Sequence, residues 1–363
     1  MRVGILTFHR ADNFGAVLQA YALQQYLIMQ GNDVDIIDYR CCALEDVYKP
    51  FRTQKYFRRN IWNGMRCFLF DSCVAKDVIK KHAKFEIFRK QYLHLSLPVY
   101  DTLGIESLTY DVVVVGSDQV WNKGLTSNDL VYFLPFGGVK KISYAVSMER
   151  NSLNDILENK YFYTEMLSSY SAISVREKAI ADNLNEIGIK NVTVTCDPSF
   201  LWNKSFYLEL LKEVPVFLPQ KYILVFHLQY SDMLDKAANE LSRKTGYPVV
   251  NIYAPFRRGR NNCTEKQNWG PLELLSYINN AEYVLTTSFH GIAFSIILEK
   301  QFYAVKTIAT NRIENLLEYM CISDRLIVDK LPDKIDKIDY SLVQMYKSLY
   351  VQESINFLKT SLV

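Results

Sequence analysis

Residues 1–39, MRVGILTFHRADNFGAVLQAYALQQYLIMQGNDVDIIDY, contain one complete strand–loop–helix–strand unit. The short apolar run at 2–8 is typical of a parallel strand that is covered on both faces. Residues 15–30 carry apolar side chains at helical spacing, and Gly31 follows where a helix commonly ends. A second short strand is predicted at 32–39. A helix between two strands indicates α/β architecture with a parallel sheet.

The same alternation continues along the chain and predicts two domains. Further strands are predicted at 111–115, 141–147, 171–175 and 191–195, and a second series at 222–228, 248–254 and 282–287. Residues 203–220 contain two prolines and are predicted to connect the domains. A chain of 363 residues also exceeds what one hydrophobic core usually serves. We therefore predict two Rossmann-like α/β domains with a central cleft, at 1–202 and 203–363. The last helix is a candidate for returning to the N-terminal domain.

The composition is that of an ordinary globular protein, with 49% hydrophobic and 22% charged residues. Seven cysteines, an odd number with no CxxC spacing, indicate reduced thiols in a cytosolic protein. The first apolar run is too short for a signal peptide, and no segment approaches the roughly 18 apolar residues of a membrane span. A cytoplasmic protein is therefore expected.

A basic segment at 40–90 interrupts the alternation and is predicted to be helical. It holds 13 Lys and Arg residues against 5 Asp and Glu, a net charge of +8, while the whole chain carries +3. Aromatic residues lie among these charges. Such an imbalance favours an anionic partner, such as phosphates or a membrane surface. A solvated helical hairpin whose charges keep it soluble is the alternative.

The polar loops after the predicted strands are the candidate sites, because ligands of parallel sheets bind beyond the carboxyl ends of the strands. After the first strand, Asn13 can cap the next helix. Gly15 opens the backbone at that helix N-terminus, where N–H groups bind anions. The usual nucleotide-binding glycine motifs are absent from this loop. A purely capping Asn13 is the alternative.

Two further loops follow strands of the first series. In VVVVGSDQVWN, Ser117, Asp118 and Gln119 follow a buried strand. Asp118 could act as a base for a sugar hydroxyl and Gln119 could hydrogen-bond one, although Gly-Ser-Asp is also a common turn. In ISVREK, Arg176 could hold a carboxylate or phosphate, or form a structural ion pair with an acid such as Asp197.

The C-terminal half contributes a histidine and several arginines. In VLTTSFHGIAFSII, Ser288 is placed to cap a helix, so His290 lies at its positive end. An imidazole there can exchange a proton near neutral pH. Arg312 begins RIENLLEYM, and three more arginines occupy a glycine-containing polar loop, namely Arg257, Arg258 and Arg260. The sequence does not decide which of them face a ligand.

Taken together, seven stretches resemble the polysaccharide pyruvyl transferase family from residue 1 to about 326. They are DNFGAVLQAYAL, DVVVVGSDQVWN, KISYAVS, ISVRE, CDPSFL, GPLELLSYINNAEYVLTTSFHGIAFSIILEK and RIENLLEYMCISDRL. The resemblance implies a two-domain fold like that of GT-B glycosyltransferases. It also implies transfer of the enolpyruvyl group of phosphoenolpyruvate to two hydroxyls of a hexose as a cyclic ketal, with release of phosphate.

The resemblance further implies the partners of the reaction. The acceptor is expected to be a hexose-containing, lipid-linked glycan of a bacterial capsule, exopolysaccharide or cell-wall polymer. Phosphoenolpyruvate is the donor substrate, and no cofactor, metal or nucleic acid is expected. A lipid-linked acceptor would suit the basic segment, which we predict to dock on anionic lipid at the inner face of the cell membrane.

His290 matches the histidine of the family's C-terminal domain and is expected to be the proton donor. Several members carry arginine two residues before this histidine, where this chain has Ser288. The cation for donor binding would then come from Arg312, Arg176 or Arg258 and its neighbours. Asp118 and Gln119, with Asn13, would hold or activate the acceptor.

Two other functions are compatible with the same residues. A sugar-nucleotide glycosyltransferase would need an acidic residue to contact the ribose, and Glu299 could take that role. A non-catalytic glycan-binding relative would explain the serine at position 288.

Overall fold

The computed structural model describes residues 1–51, 61–212, 214, 218–256, 265–307 and 311–362. The chain divides into two compact units. The first comprises 1–44, 89–202 and 341–363, and the second 45–88 and 203–340. Residues 45–88, which the sequence analysis assigned to the N-terminal domain, thus group with the second unit. The C-terminal residues from 341 onward group with the first.

Each unit contains one six-stranded sheet. The strands of the first are β1 (Arg2–Leu6), β2 (Asp33–Ile36), β3 (Val112–Val115), β4 (Lys140–Val146), β5 (Ala172–Val175) and β6 (Thr193–Val194). Those of the second are β7 (Ile223–His227), β8 (Val249–Tyr253), β9 (Glu265–Lys266), β10 (Tyr283–Thr286), β11 (Gln301–Val305) and β12 (Leu326–Ile327).

Fourteen α-helices lie within the described ranges. They are α1 (Phe14–Met29), α2 (Cys42–Glu45), α3 (Ile61–Tyr92), α4 (Thr102–Glu106), α5 (Lys123–Thr126), α6 (Arg150–Glu158), α7 (Lys160–Leu167), α8 (Lys178–Glu186), α9 (Lys204–Leu210), α10 (Asp232–Thr245), α11 (Pro271–Asn280), α12 (Phe289–Ile297), α13 (Asn311–Tyr319) and α14 (Tyr340–Leu362). Short 3₁₀ turns occur at Asp46–Tyr48, Val131–Phe133, Pro198–Leu201 and Ser323–Arg325.

All strand pairs in both sheets are parallel, with the orders β2-β1-β3-β4-β5-β6 and β12-β11-β10-β7-β8-β9. The four valines of β3 are buried because helices cover both faces of a parallel sheet. The predicted α/β class is therefore confirmed in each unit. Since the strands are parallel, their carboxyl ends meet at one edge of each sheet, and that edge positions the polar loops.

The basic segment forms the 32-residue helix α3 in its second half. Within the second unit, Lys84 Nζ contacts both carboxylate oxygens of Glu273 at 2.7 Å, and the Phe85 ring packs 6.1 Å from that of Trp269. Near its start, α3 exposes Trp62, and residues 89–92 at its end belong to the first unit. Among the helices described, none is long and apolar enough to cross a membrane.

Candidate active site

The loop after β1 is built by capping. Asn13 Oδ1 accepts a hydrogen bond of 3.0 Å from Gly15 N, which makes Asn13 the N-cap of α1 as predicted. Thr7 Oγ1 donates to Ser117 O at 2.8 Å and accepts from Gln19 Nε2 at 2.9 Å. The bond from Thr7 to Ser117 joins the ends of the neighbouring strands β1 and β3. A role of Asn13 and Gly15 in substrate binding remains a prediction.

A buried arginine fixes the backbone of the same loop. Arg89, in the last turn of α3, donates from Nε to His9 O at 2.8 Å. Its Nη2 donates to Arg10 O, Ala11 O and Asp12 Oδ1 at 3.0, 2.9 and 2.7 Å. The basic segment therefore ends in a cation that serves the fold of the first unit. Three carbonyls bound by one guanidinium hold the loop in a single conformation.

A buried histidine and aspartate lie beneath this loop. His9 Nε2 is 3.1 Å from Asp38 Oδ1, and Arg10 Nε donates to the same oxygen at 2.6 Å. Burial lowers the pKa of His9, although its hydrogen bond with Asp38 raises it in part. Burial alone would raise the pKa of Asp38, but the hydrogen bonds from His9 and Arg10 hold it well below its usual range. The neutral imidazole and the paired carboxylate are suited to structure rather than to proton transfer.

The loop after β3 has a constrained backbone. Gly116 has φ +113°, and a Cβ there would lie 2.4 Å from Tyr144 O, so only glycine fits. Asp118 follows in the left-handed region at φ +79°, and its carbonyl accepts from Ser147 N at 3.0 Å. Gln119 N donates to Asp118 Oδ1 at 2.9 Å. Ser117, Asp118 and Gln119 thus lie in the loop that follows β3, at the carboxyl edge of the sheet; their roles in the reaction remain predictions.

Gln119 uses both ends of its side-chain amide within the protein. Its Nε2 donates to Glu149 Oε1 at 3.4 Å, and its Oε1 accepts from Asn122 Nδ2 at 3.0 Å. Asn122 Oδ1 in turn accepts from Gly124 N at 3.1 Å and caps α5. The orientation of the amide is therefore set before any ligand arrives.

Arg176 forms the ion pair that the sequence left open as the alternative. Its Nη2 lies 2.7 Å from Asp197 Oδ2, with 2% and 0% of the two side chains exposed, and also donates to Ser117 Oγ. Burial by itself would lower the pKa of the Arg176 guanidinium. The negative charges of Asp197, Glu177 and Asp118, in decreasing order of effect, outweigh burial and raise this pKa above its usual value. One buried cation thus lies among three acidic residues. This arrangement fixes Ser117 and compensates the charge of the Arg176 guanidinium.

In the second unit, the turn between β10 and α12 is built as predicted around Ser288. Its Oγ accepts from Gly291 N at 3.2 Å, and its N donates to Thr286 Oγ1 at 3.0 Å. Thr286 Oγ1 donates to Phe226 O at 2.8 Å, which ties the turn to β7. A Cβ on Gly291 would lie 2.9 Å from Thr286 Cγ2, so the turn and helix approach too closely for a larger residue. His290 is 7% exposed in the first turn of α12.

Arg312 and His290 both lie near the ring of Phe289. The guanidinium carbon of Arg312 is 6.0 Å from the centre of the Phe289 ring, and the ring centres of Phe289 and His290 are 5.3 Å apart. Thr287 Oγ1 is buried there and has no hydrogen-bond partner among the described residues. The first turn of α12 thus combines helix N–H groups, a hydroxyl, an imidazole and a nearby cation. Arg257, Arg258 and Arg260 lie outside the described residues.

The structure adds a second histidine that the sequence analysis did not single out. His227 ends β7, the neighbour of β10, and its ring stacks on Tyr253 with centres 4.4 Å apart and planes at 16°. Its Nε2 is 2.9 Å from Asn251 Oδ1. The available signal was a histidine near the carboxyl end of the predicted strand at 222–228, the end of parallel strands beyond which ligands bind.

Two other charged groups of the second unit are held by protein atoms. Glu299, the candidate ribose contact, lies 2.8 Å from Lys204 Nζ. Lys81 Nζ lies 3.9 Å from the centre of the Trp269 ring and donates to Ala254 O at 3.3 Å. Within the described part of the chain, no three His, Cys, Asp or Glu residues are grouped as metal ligands would be.

Two parallel six-stranded sheets with polar loops at their carboxyl edges define a GT-B-like α/β class. A UDP-N-acetylglucosamine 2-epimerase structure is 9% identical, with a TM-score of 0.52, and the match covers 98% of this chain and 94% of that one. MnaA from S. aureus in complex with UDP is 10% identical, with a TM-score of 0.49, and the match covers 97% of this chain and 90% of that one. The UDP-GlcNAc 2-epimerase of Methanocaldococcus jannaschii is 12% identical, with a TM-score of 0.46, and the match covers 97% of this chain and 93% of that one. These likenesses concern the fold alone.

The family is shown by the sequence itself. The family model for polysaccharide pyruvyl transferase matches residues 13–307, which is most of the chain. The protein therefore belongs to the polysaccharide pyruvyl transferase family. No curated protein matches it significantly.

Proposed function

We propose that this protein transfers the enolpyruvyl group of phosphoenolpyruvate to two hydroxyls of a hexose, forming a cyclic pyruvate ketal and releasing phosphate. The acceptor would be a glycan of a bacterial capsule, exopolysaccharide or cell-wall polymer. The observation that carries the proposal is the first turn of α12, where His290 and Arg312 contact the same Phe289 ring. Family membership supports the transferase class.

The donor has two anionic groups, and the start of α12 suits one of them. Helix N–H groups and the positive end of the dipole favour an anion there. The Arg312 guanidinium, lying over the Phe289 ring, adds the cation that Ser288 lacks. The buried Thr287 hydroxyl offers a further donor. We assign the phosphate or carboxylate of phosphoenolpyruvate to this turn.

The reaction then needs a proton at one carbon and a hydroxyl oxygen at its neighbour. His290 would give its proton to the methylene carbon, which becomes the methyl group, while an acceptor hydroxyl attacks C2. The hydroxyl proton would pass to a base, for which Asp118 in the first unit is our candidate. A second hydroxyl would replace phosphate at C2 and close the ketal, with its proton leaving on the phosphate. The sum is donor plus diol giving ketal plus phosphate.

The first unit supports an acceptor rather than a donor role. The Arg176 guanidinium donates to Ser117 Oγ, and that cation is neutralised by Asp197. Fixed amide and carboxylate groups at Asp118 and Gln119 match the hydroxyls of a sugar better than a phosphate. We therefore assign acceptor binding to the first unit and donor binding to the second.

Phosphoenolpyruvate offered with a panel of lipid-linked glycans tests the proposal. Release of phosphate together with the mass increment of a pyruvate ketal is the expected result. Phosphoenolpyruvate should also raise the melting temperature, and UDP-sugars should not. Stabilisation by a UDP-sugar alone, with its sugar transferred, would overturn the proposal in favour of a glycosyltransferase.

Variants separate the proposed roles. His290→Asn should lower kcat by about 10²–10⁴-fold, as loss of a general acid does, and leave phosphoenolpyruvate binding in place. Arg312→Gln should raise KM for phosphoenolpyruvate instead. Arg243→Gln is the matched control, because Arg243 is an exposed arginine in the last turn of α10. Equal effects of the two arginine variants would refute the role of Arg312.

We further propose that the start of α3 docks the protein on the anionic inner leaflet, where a lipid-linked acceptor would lie. Trp62, Met65 and Leu69 are 75, 51 and 60% exposed and share one helix face at i, i+3 and i+7 spacing. One basic residue, Arg66, lies among them. Part of the predicted basic segment, residues 52–60, lies outside the described residues.

Vesicle co-sedimentation tests this docking. Binding should require phosphatidylglycerol, weaken with salt and fall when Trp62 is replaced by serine. Ile87→Ser is the control, since Ile87 is also 60% exposed but lies near the other end of α3. Binding that ignores both lipid charge and salt would contradict the proposal.

A further inference from the structure

A polar cavity opens in the first unit beside the loop that carries Asp118. Its volume is 450 Å³, within the roughly 300–1,000 Å³ of small-molecule sites. One wall comes from the loop after β3 and from α5, and the other from Met148 and from α6. Its polar lining includes Asn122, Lys123, Asn128, Ser152, Asp155 and Glu158.

The charge of this cavity disfavours an anion. Lys123 Nζ is 2.8 Å from Asp155 Oδ2 and lies 4.8 Å from the centre of the Phe162 ring, so its charge is already compensated. Glu158 adds a further carboxylate to the lining. The remaining polar groups are amides and a hydroxyl, which both donate and accept hydrogen bonds. Such a lining suits a neutral ligand rich in hydroxyl groups.

The walls are held rigid by bonds within the protein. Asp155 accepts from Tyr163 Oη at 2.6 Å and from Asn159 Nδ2 at 2.7 Å, in addition to its ion pair. Asn128, at φ +62°, forms a left-handed turn whose N donates to Lys123 O at 2.9 Å. Polar groups fixed in advance bind with less loss of conformational freedom.

The cavity adjoins the candidate acceptor loop on both sides. On one side Asn122 Nδ2 donates to Gln119 Oε1 at 3.0 Å. On the other, Met148 directly follows Ser147, whose N donates to the carbonyl of Asp118 at 3.0 Å. A sugar in the cavity would therefore have its neighbour in the same glycan close to Asp118.

We propose that this cavity binds a neutral hexose residue of the acceptor glycan, next to the residue that receives the pyruvyl group. The identification of this sugar as part of the acceptor rests on the proposed function. Binding of a neutral sugar to the cavity can be measured without phosphoenolpyruvate. The cavity would then set which glycan is used, separately from the transfer chemistry.

The test measures binding of methyl glycosides of glucose, galactose and mannose by saturation-transfer NMR and calorimetry, with no donor present. At least one should bind, and methyl glucuronide should bind more weakly than methyl glucoside because of the Glu158 carboxylate. Asn128→Gly and Ser152→Ala should each weaken binding by about 3- to 10-fold, the value of one hydrogen bond. Asn191→Gly is the matched control, since Asn191 has nearly the same left-handed backbone at φ +60° but lies outside the cavity. Circular dichroism confirms that each variant is folded.

The outcomes separate this inference from the proposed function. If no methyl glycoside binds, or if Asn128→Gly and Ser152→Ala bind as tightly as Asn191→Gly, the cavity is not a sugar site, even where phosphate release shows that the enzyme is a pyruvyl transferase. If both variants lose glycoside affinity while the wild type never releases phosphate, the sugar site stands and the proposed function fails. A raised KM for the glycan acceptor in both variants supports both.

Discussion

Replacing Arg176 with methionine should destabilise the first unit more than any surface substitution would. The guanidinium is 2% exposed, pairs with the fully buried Asp197 at 2.7 Å, and donates to Ser117 Oγ. Methionine retains an unbranched apolar chain and removes the charge. The carboxylate of Asp197 then keeps its bond from Ser199 N at 2.9 Å but loses its cation.

The expected magnitude follows from that burial. Removing one partner of a buried ion pair costs about 3–5 kcal/mol. This corresponds to a change of about 10²–10⁴-fold in the ratio of folded to unfolded protein. With a urea m-value of about 3 kcal/mol per M, the unfolding midpoint should fall by about 1–1.7 M. Urea titrations followed by circular dichroism and fluorescence measure this shift.

Two further variants make the test specific. Arg176→Met combined with Asp197→Leu removes both charges and should recover much of the loss, because an apolar pair replaces a buried ion pair well. Lys178→Met breaks the exposed pair with Asp182 and should scarcely move the midpoint. A wild-type midpoint in Arg176→Met, together with lost phosphoenolpyruvate binding, would refute the structural role and make Arg176 a donor ligand.

Three other predictions concern titration, reactivity and packing. Burial lowers the pKa of His9 from 6.5, so the unfolded chain takes up this proton first and stability falls as pH drops below about 6.5. His9→Gln should reduce that fall in urea midpoints between about pH 7 and about pH 5, and His94→Gln, at an exposed histidine, should not. Burial raises the pKa of Cys196 to about 12, so mass spectrometry should find it unmodified by iodoacetamide in the folded protein; rapid labelling would contradict this. Gly291→Ala should lower stability by about 1–3 kcal/mol, because its Cβ would lie 2.9 Å from a side-chain carbon. Gly137→Ala should leave stability unchanged, because a Cβ on Gly137 would have no atom within 4 Å.

Local features of the fold were predictable because they depend on residues close in sequence. The β1–α1–β2 unit follows from apolar spacing, and both predicted helix caps are confirmed: Asn13 bonds Gly15 N, and Ser288 bonds Gly291 N. In each case the acceptor and donor are two or three residues apart. Cap chemistry is therefore readable from the sequence alone.

The partners of the charged residues were not predictable in the same way. Arg176 meets Asp197 only because β5 and β6 pair and bring their carboxyl ends to one edge. Sequence reasoning could name the two outcomes but not choose, because the choice depends on burial. His227 was missed for a related reason: it adjoins the His290 turn only through the pairing of β7 with β10, about 60 residues apart in sequence.

The course of the chain also places a limit on when the first unit can finish folding during synthesis. Cys196 N donates to Ser354 Oγ at 2.8 Å, and the Tyr144 ring packs 6.4 Å from that of Phe357, so α14 completes the core of a unit whose other segments end at Trp202. At 5–20 residues per second, the ribosome needs about 8–30 s to pass from Trp202 to Ser354. During that interval residues 203–340, which complete the second unit, emerge, while the first unit still exposes the surface that α14 will cover. The unit that is translated first is thus completed last, and its nascent form is the one that chaperones have reason to bind.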